Sequence, residues 1–128
     1  MITCAMCDDE LPFAEQLRSL VMAYAKKKRV ELQAETFASA EELLEEIENG
    51  AGFEILFLDI EMRKMDGIEL GKKLRERSYQ TLIIYVSGYD QYMRQLFEAE
   101  PFRFLSKPLK QEELENVLDK AFERISRF

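Results

Sequence analysis

Histidine is absent from this 128-residue chain, and cysteine occurs only twice. The lack of histidine excludes histidine–metal sites, Ser–His and Cys–His nucleophile pairs, and phosphohistidine formed on this chain. Basic residues are in the minority, because 18 Lys and Arg stand against 25 Asp and Glu, for a formal charge of −7. Since phosphate binding depends on clustered Lys and Arg, we expect no direct contact between this chain and nucleic acid.

The two cysteines, Cys4 and Cys7, have the CxxC spacing found in redox and zinc motifs. A thioredoxin-type pair opens a helix, whereas this pair lies in an apolar run typical of a strand. Zinc would require two more ligands, and the sequence has no other cysteine and no histidine. We therefore interpret both as small core residues of a reduced, cytoplasmic protein. The chain starts without a basic leader and has no segment as long as a membrane span, so we expect no membrane association.

Segments typical of strands and helices alternate along the chain and predict one domain over residues 1–128. Apolar or alternating patterns predict strands at residues 2–7, 30–37, 53–58, 81–86 and 102–105. Apolar residues at helical spacing, together with capping residues such as Ser39 and Asp66, predict five helices, the last two around residues 92–98 and 111–127. This alternation predicts an α/β fold with a doubly wound parallel sheet.

Polar side chains follow four of the five predicted strands. Asp8 and Asp9 follow the first strand and Asp59 the third, while Ser87 and Lys107 follow the fourth and fifth. An Asp after a strand is often only a helix cap, and a Ser-Gly pair is often only a turn. The carboxyl ends of parallel strands meet at one edge of the sheet, however, and this edge is where such folds bind ligands. Four such endings at one edge therefore favour a functional site.

This set of side chains suits phosphoryl transfer onto an aspartate. Two carboxylates about 4 Å apart repel by about 4 kcal/mol at an effective dielectric near 20, so three of them either take up protons or bind a cation. Ligands that are all oxygen and few in number favour Mg²⁺ over Ca²⁺. Lys107 can pair with a carboxylate or phosphate oxygen, and Ser87 can donate a hydrogen bond to the same oxygen. An acidic acceptor, a metal, a hydroxyl and a lysine are the parts this chemistry needs.

Four segments resemble the receiver domain of bacterial two-component response regulators: CDDE at 7–10, LDIEMRKMDGIEL at 58–70, VSGY at 86–89 and FRFLSKPL at 102–109. The resemblance implies a flavodoxin-like (βα)5 fold with strand order 2-1-3-4-5, acting as a phosphorylatable signalling switch. It implies that Asp59 is the phospho-acceptor. It also implies that Mg²⁺ is held by Asp8, Asp9, Asp59 and the backbone carbonyl of Glu61.

The resemblance assigns roles to further residues. Ser87 is similar to the hydroxyl residue that moves onto the phosphoryl group, and Lys107 to the family's lysine, with a cis peptide bond after it. Phe104 matches the switch aromatic, so that Ser87 and Phe104 together form the switch. Glu61 and Tyr89 match the two positions that tune the rate of dephosphorylation. The implied result is a changed surface over the predicted fourth helix, fifth strand and fifth helix.

One position departs from the family pattern: Arg63 stands where a proline is usual. Without the proline ring, one more backbone bond can rotate at this position, so we expect a less rigid loop. The arginine also adds a positive charge beside the site. Residues 89–99 resemble receivers attached to LytTR-type DNA-binding domains. We therefore expect either a stand-alone receiver or an isolated receiver from a longer regulator whose C-terminal output domain binds DNA and controls transcription. The resemblance implies that a sensor histidine kinase is a partner. It leaves open whether a second copy of the chain is another, in a phosphorylation-dependent homodimer.

The same residues allow two alternatives to the signalling switch. A Mg²⁺-dependent phosphohydrolase of the haloacid-dehalogenase type also uses an Asp at the end of a strand. Such an enzyme needs a second Asp two residues later as general acid, where this chain has Glu61, and it carries a cap insertion that this chain lacks. An unphosphorylated interaction module is expected when an acidic residue or the lysine is missing, and all are present. We therefore expect a switch rather than an enzyme.

Overall fold

Five strands form one parallel sheet in the computed structural model, which describes residues 1–88 and 98–126. The strands are β1 (Ile2–Cys7), β2 (Leu32–Phe37), β3 (Ile55–Leu58), β4 (Leu82–Ser87) and β5 (Arg103–Ser106). Within the described residues the helices are α1 (Leu11–Lys27), α2 (Ala40–Glu48), α3 (Gly67–Glu76) and α4 (Gln111–Ser126). The strand order is β2-β1-β3-β4-β5, and every neighbouring pair is parallel. The predicted fold class and strand order are confirmed.

Several predicted boundaries were wrong by one or two residues. The strand predicted from Val30 begins at Leu32, because the Val30 amide donates to the Ala25 carbonyl (2.8 Å) and completes the end of α1. The strand predicted from Phe53 begins at Ile55. The fourth and fifth strands each begin and end one residue later than predicted. The helix predicted around 92–98 lies almost entirely outside the described residues.

Both predicted caps are present and fix the starts of α2 and α3. The Ser39 hydroxyl accepts a hydrogen bond from the Glu42 amide (3.1 Å), and the Asp66 carboxylate accepts one from the Glu69 amide (2.8 Å). Each satisfies an amide that lacks a partner within the helix. The β3–α3 loop, residues 59–66, therefore ends at a defined helix start.

The core consists of two apolar layers, one on each face of the sheet. One layer packs α2 and α3 against the sheet, and the other packs α1 and α4. Cys4 belongs to the second layer and Cys7 to the first, because residues three apart in a strand point to opposite faces. Both are buried, as expected, and their opposite orientations prevent them from binding one metal ion. Over the described part of the chain, none of the helices is long and apolar enough to cross a membrane.

Candidate functional site

The carboxyl edge of the sheet brings Asp8 and Asp59 side by side. Cys7 of β1 pairs with Leu58 of β3, so the residues that follow them lie on adjacent strands. The Asp59 amide donates to the Cys7 carbonyl (2.9 Å), and the Asp8 amide donates to the Phe37 carbonyl (3.0 Å). Both carboxylates are buried, with residue exposures of 6% for Asp8 and 8% for Asp59. The sheet itself therefore positions two acidic groups away from bulk water.

Asp9 completes a cluster of three carboxylates. One oxygen each from Asp8, Asp9 and Asp59 lies within 4.8 Å of the other two, and Asp9 is exposed. The donor atoms are all carboxylate oxygens, which hard cations such as Mg²⁺ prefer. The exposed Asp9 leaves one side open to water, and Mg²⁺ usually keeps several water ligands. Glu61, whose backbone carbonyl was predicted as a further ligand, lies two residues after Asp59 in the β3–α3 loop.

Lys107 reaches into this cluster from the end of β5. Its Nζ lies 2.9 Å from Asp8 Oδ2 and 3.8 Å from Asp59 Oδ1. The same ammonium lies over the ring of Phe13 in α1, 4.4 Å from its centroid, a favourable cation–π geometry. This contact could not be predicted from the sequence, because the helical spacing of Phe13 indicates only a core residue. The predicted convergence of Lys107 with the two aspartates is present.

The buried charges change the pKa values of the site. Burial, followed by the negative charge of Asp8, raises the pKa of Asp59 to about 7, although Lys107 and the Ile60 amide act in the opposite direction. Burial alone would lower the pKa of Lys107. The hydrogen bond to Asp8 and the charge of Asp59 outweigh that effect, so the pKa of Lys107 is raised and its amine stays protonated. Without a cation, Asp59 therefore takes up a proton close to neutral pH.

The predicted switch residues lie on the two strands beyond β3. Ser87 is fully buried at the end of β4, and its carbonyl accepts a hydrogen bond from the Lys107 amide (3.0 Å). Phe104 pairs in register with Tyr85 and is half-buried against the α2–α3 layer of the core. The peptide bond after Lys107 is cis, as the resemblance implied. Tyr89 lies outside the described residues, so its predicted role stays a prediction.

The β3–α3 loop closes tightly behind the acidic cluster. The Gly67 amide donates to the Ile60 carbonyl (2.9 Å), which joins the two ends of the loop. A Cβ atom on Gly67 would collide with the backbone carbonyl oxygen of Asp59. Only glycine fits this close approach of helix and strand end. This role of Gly67 was not predicted, although the Asp66-Gly67 dipeptide is a turn signal in the sequence.

The sequence of the chain matches a known protein family, which agrees with the fold and the site described above. A family model of the response regulator receiver domain matches residues 5–119. The chain belongs to this family. Receiver domains are signalling domains that interact with histidine kinases and bind Mg²⁺ through an acidic pocket, and the cluster of three aspartates described above corresponds to such a pocket. Membership therefore favours a signalling role over the haloacid-dehalogenase alternative.

Individual proteins that are similar to this chain are also response regulatory or sensory transduction proteins. The chain is 28% identical over 125 residues to an uncharacterized response regulatory protein of Vibrio cholerae, covering 98% of this chain and 46% of that protein. It is 24% identical over 127 residues to the sensory transduction protein LytT of Bacillus subtilis, covering 99% of this chain and 50% of LytT. The chain thus spans about half the length of these curated relatives. The similarity to LytT supports the predicted LytTR-type subfamily.

Among solved structures, the response regulatory domain of protein mrkE from Klebsiella pneumoniae superposes with a TM-score of 0.88. The match covers 99% of this chain and 100% of that domain, at 18% sequence identity. At this identity the similarity concerns the fold alone, and it agrees with the flavodoxin-like sheet order.

Proposed function

We propose that this receiver domain is a phosphorylatable switch in which Asp59 accepts a phosphoryl group from a sensor histidine kinase. One observation carries the proposal: the buried Asp59 carboxylate lies beside Asp8, with the Lys107 ammonium 3.8 Å away. A nucleophilic carboxylate, a fixed positive charge and an acidic cluster suited to a divalent cation meet at one edge of the sheet. Family membership supports this assignment.

In the transfer, an Asp59 carboxylate oxygen forms a bond to phosphorus while the phosphorus–nitrogen bond of the kinase phosphohistidine breaks. The histidine nitrogen leaves with the bonding electron pair. Mg²⁺, held by Asp8, Asp9, Asp59 and the Glu61 backbone carbonyl, would neutralise charge on the phosphoryl oxygens. Lys107 contacts Asp8 and Asp59 before the transfer and donates to a phosphoryl oxygen after it.

The phosphoryl group then adds roughly −1.5 to −2 charge and three acceptor oxygens. The Ser87 hydroxyl donates a hydrogen bond to one of these oxygens, and this bond draws in the loop after β4. Phe104, half-buried in this structure, turns inward and changes the surface around β5 and α4. Moving such an equilibrium from 1:99 to 99:1 requires about 5.5 kcal/mol of preference for the active state.

We propose that the changed surface controls a DNA-binding domain attached to the receiver, and that the output is a change in transcription. We propose that the protein acts in the cytoplasm. A phosphorylation-dependent homodimer is one way to transmit the change. Glu61 and Tyr89 set the lifetime of the phosphoryl group. In this arrangement residues 1–128 form the receiver domain and do not themselves bind DNA.

Intact-mass measurement after incubation with a low-molecular-weight phosphodonor and Mg²⁺ tests the acceptor assignment. The wild-type chain should gain one base-labile phosphoryl group, and the Asp59→Asn variant should gain none. Asp66→Asn is the matched control, because asparagine preserves the cap of α3 and the same loop carries the change. Labelling of Asp59→Asn equal to wild type would refute the assignment.

A further inference from the structure

The residue types of the β3–α3 loop do not by themselves restrict its backbone conformation. Contacts with other parts of the chain must therefore stabilise that conformation. Arg63 stands where the family usually has a proline, so the backbone there keeps a rotation that a proline ring would fix. Lys64 next to it has a φ of +62°, a left-handed conformation that residues other than glycine adopt rarely. Both residues are exposed, so packing of their side chains does not impose this backbone conformation.

A hydrogen bond from α2 reaches this loop near its end, next to the cap of α3. A carboxylate oxygen of Glu41, in the first turn of α2, accepts a hydrogen bond from the Met65 backbone amide (2.9 Å). The Ser39 cap fixes the start of α2 and therefore the position of Glu41. That hydrogen bond is the main reason that the pKa of Glu41 is lowered, so its carboxylate is charged at neutral pH. Hydrogen bonds to charged acceptors are about twice as strong as neutral ones.

A groove lies on the outer side of the loop, between the loop and the start of α2. The groove has a volume of about 660 Å³. It is lined by Asp9, Glu10, Ala38, Ser39, Glu41, Arg63 and Lys64. On the inner side, Met62 is buried and Met65 is half-buried against the core.

We propose that Glu41 is a positioning residue that holds the β3–α3 loop so that the Glu61 backbone carbonyl faces the metal. The inference rests on the proposed function, because it assumes a cation bound at the aspartate cluster. In this role Glu41 replaces, through a contact between elements, the rigidity that a proline at position 63 would supply. It touches neither the cation nor the phosphoryl group.

The test compares Glu41→Ala, Glu41→Gln and the control Glu46→Ala, an exposed acidic residue of the same helix. Two quantities are measured by NMR: the dissociation constant of Mg²⁺ alone, and the hydrogen-exchange protection of the Met65 amide. Glu41→Ala should lose the protection and weaken Mg²⁺ binding roughly tenfold, the low end of the effect of outer-shell partners. Glu41→Gln should recover most of both, since its amide oxygen still accepts the hydrogen bond. Glu46→Ala should match wild type.

The outcomes separate positioning from a merely structural role. A lower melting temperature of Glu41→Ala with unchanged Mg²⁺ affinity would overturn the inference, because Glu41 would then only stabilise α2. Equal loss in Glu41→Gln and Glu41→Ala would also overturn it. A wild-type chain that binds no Mg²⁺ would overturn the proposed function itself, whereas equal binding by wild type and Glu41→Ala would overturn only the role of Glu41.

Discussion

Replacing Asp59 by Asn should stabilise the metal-free protein increasingly as the pH rises from 5 to 8. The pKa of Asp59 is about 7 in the folded chain, against an ordinary value of 3.8. Between these values the folded chain binds more protons than the unfolded chain, so the free energy of unfolding falls as the pH rises. The contribution is fully present below about pH 4 and is lost as the pH passes through 7. Asn carries no charge and escapes this loss.

The magnitude follows from the two pKa values. Proton linkage gives a loss of about 2–3 kcal/mol between pH 5 and pH 8 for the wild-type chain. The difference in unfolding free energy between Asp59→Asn and wild type should widen by this amount. Any constant effect of the amide on packing cancels, because only the change with pH is used.

Urea unfolding followed by circular dichroism, with EDTA at several pH values, measures this difference. Glu46→Gln is the control, because Glu46 is exposed on α2 and is not among the charges that shift the pKa of Asp59. Its stability should follow that of wild type across the range. Parallel pH curves for wild type and Asp59→Asn would refute the argument, since burial would then impose no cost on the Asp59 charge.

The convergence of the aspartates and Lys107 could be predicted from the sequence. Apolar runs end abruptly at Asp8 and Asp59, and a parallel sheet brings all strand ends of one direction to one edge. The order of the strands within the sheet could not be predicted in the same way. The alternating pattern does not determine strand order, so the adjacency of β1 and β3 came from the family resemblance.

The contacts that refine the site could not be predicted, because they join residues whose local patterns have another meaning. The spacing of Phe13 indicates a core residue, yet its ring also lies beneath the Lys107 ammonium. Glu41 looks like an ordinary acidic residue in the first turn of a helix, yet it bonds to Met65, 24 positions away. Such contacts depend on how α1, α2 and the loop are placed in three dimensions. Local periodicity carries no information about this placement.

Two further predictions follow from burial and close packing. Cys4 and Cys7 are both buried, and burial raises the pKa of the Cys4 thiol to about 12 and raises that of Cys7 as well, so neither should react with Ellman's reagent at pH 8 unless denaturant is added. Reaction of a thiol in the native protein would contradict this. Gly67→Ala should cost about 1–3 kcal/mol in urea unfolding and slow phosphorylation of Asp59, because the new Cβ must displace backbone atoms that lead from the acceptor residue into the loop. Gly52→Ala is the matched control, since no atom lies within 4 Å of a Cβ built there. If Gly67→Ala unfolds and is phosphorylated like Gly52→Ala, the close approach of α3 to the end of β3 does not position the acceptor.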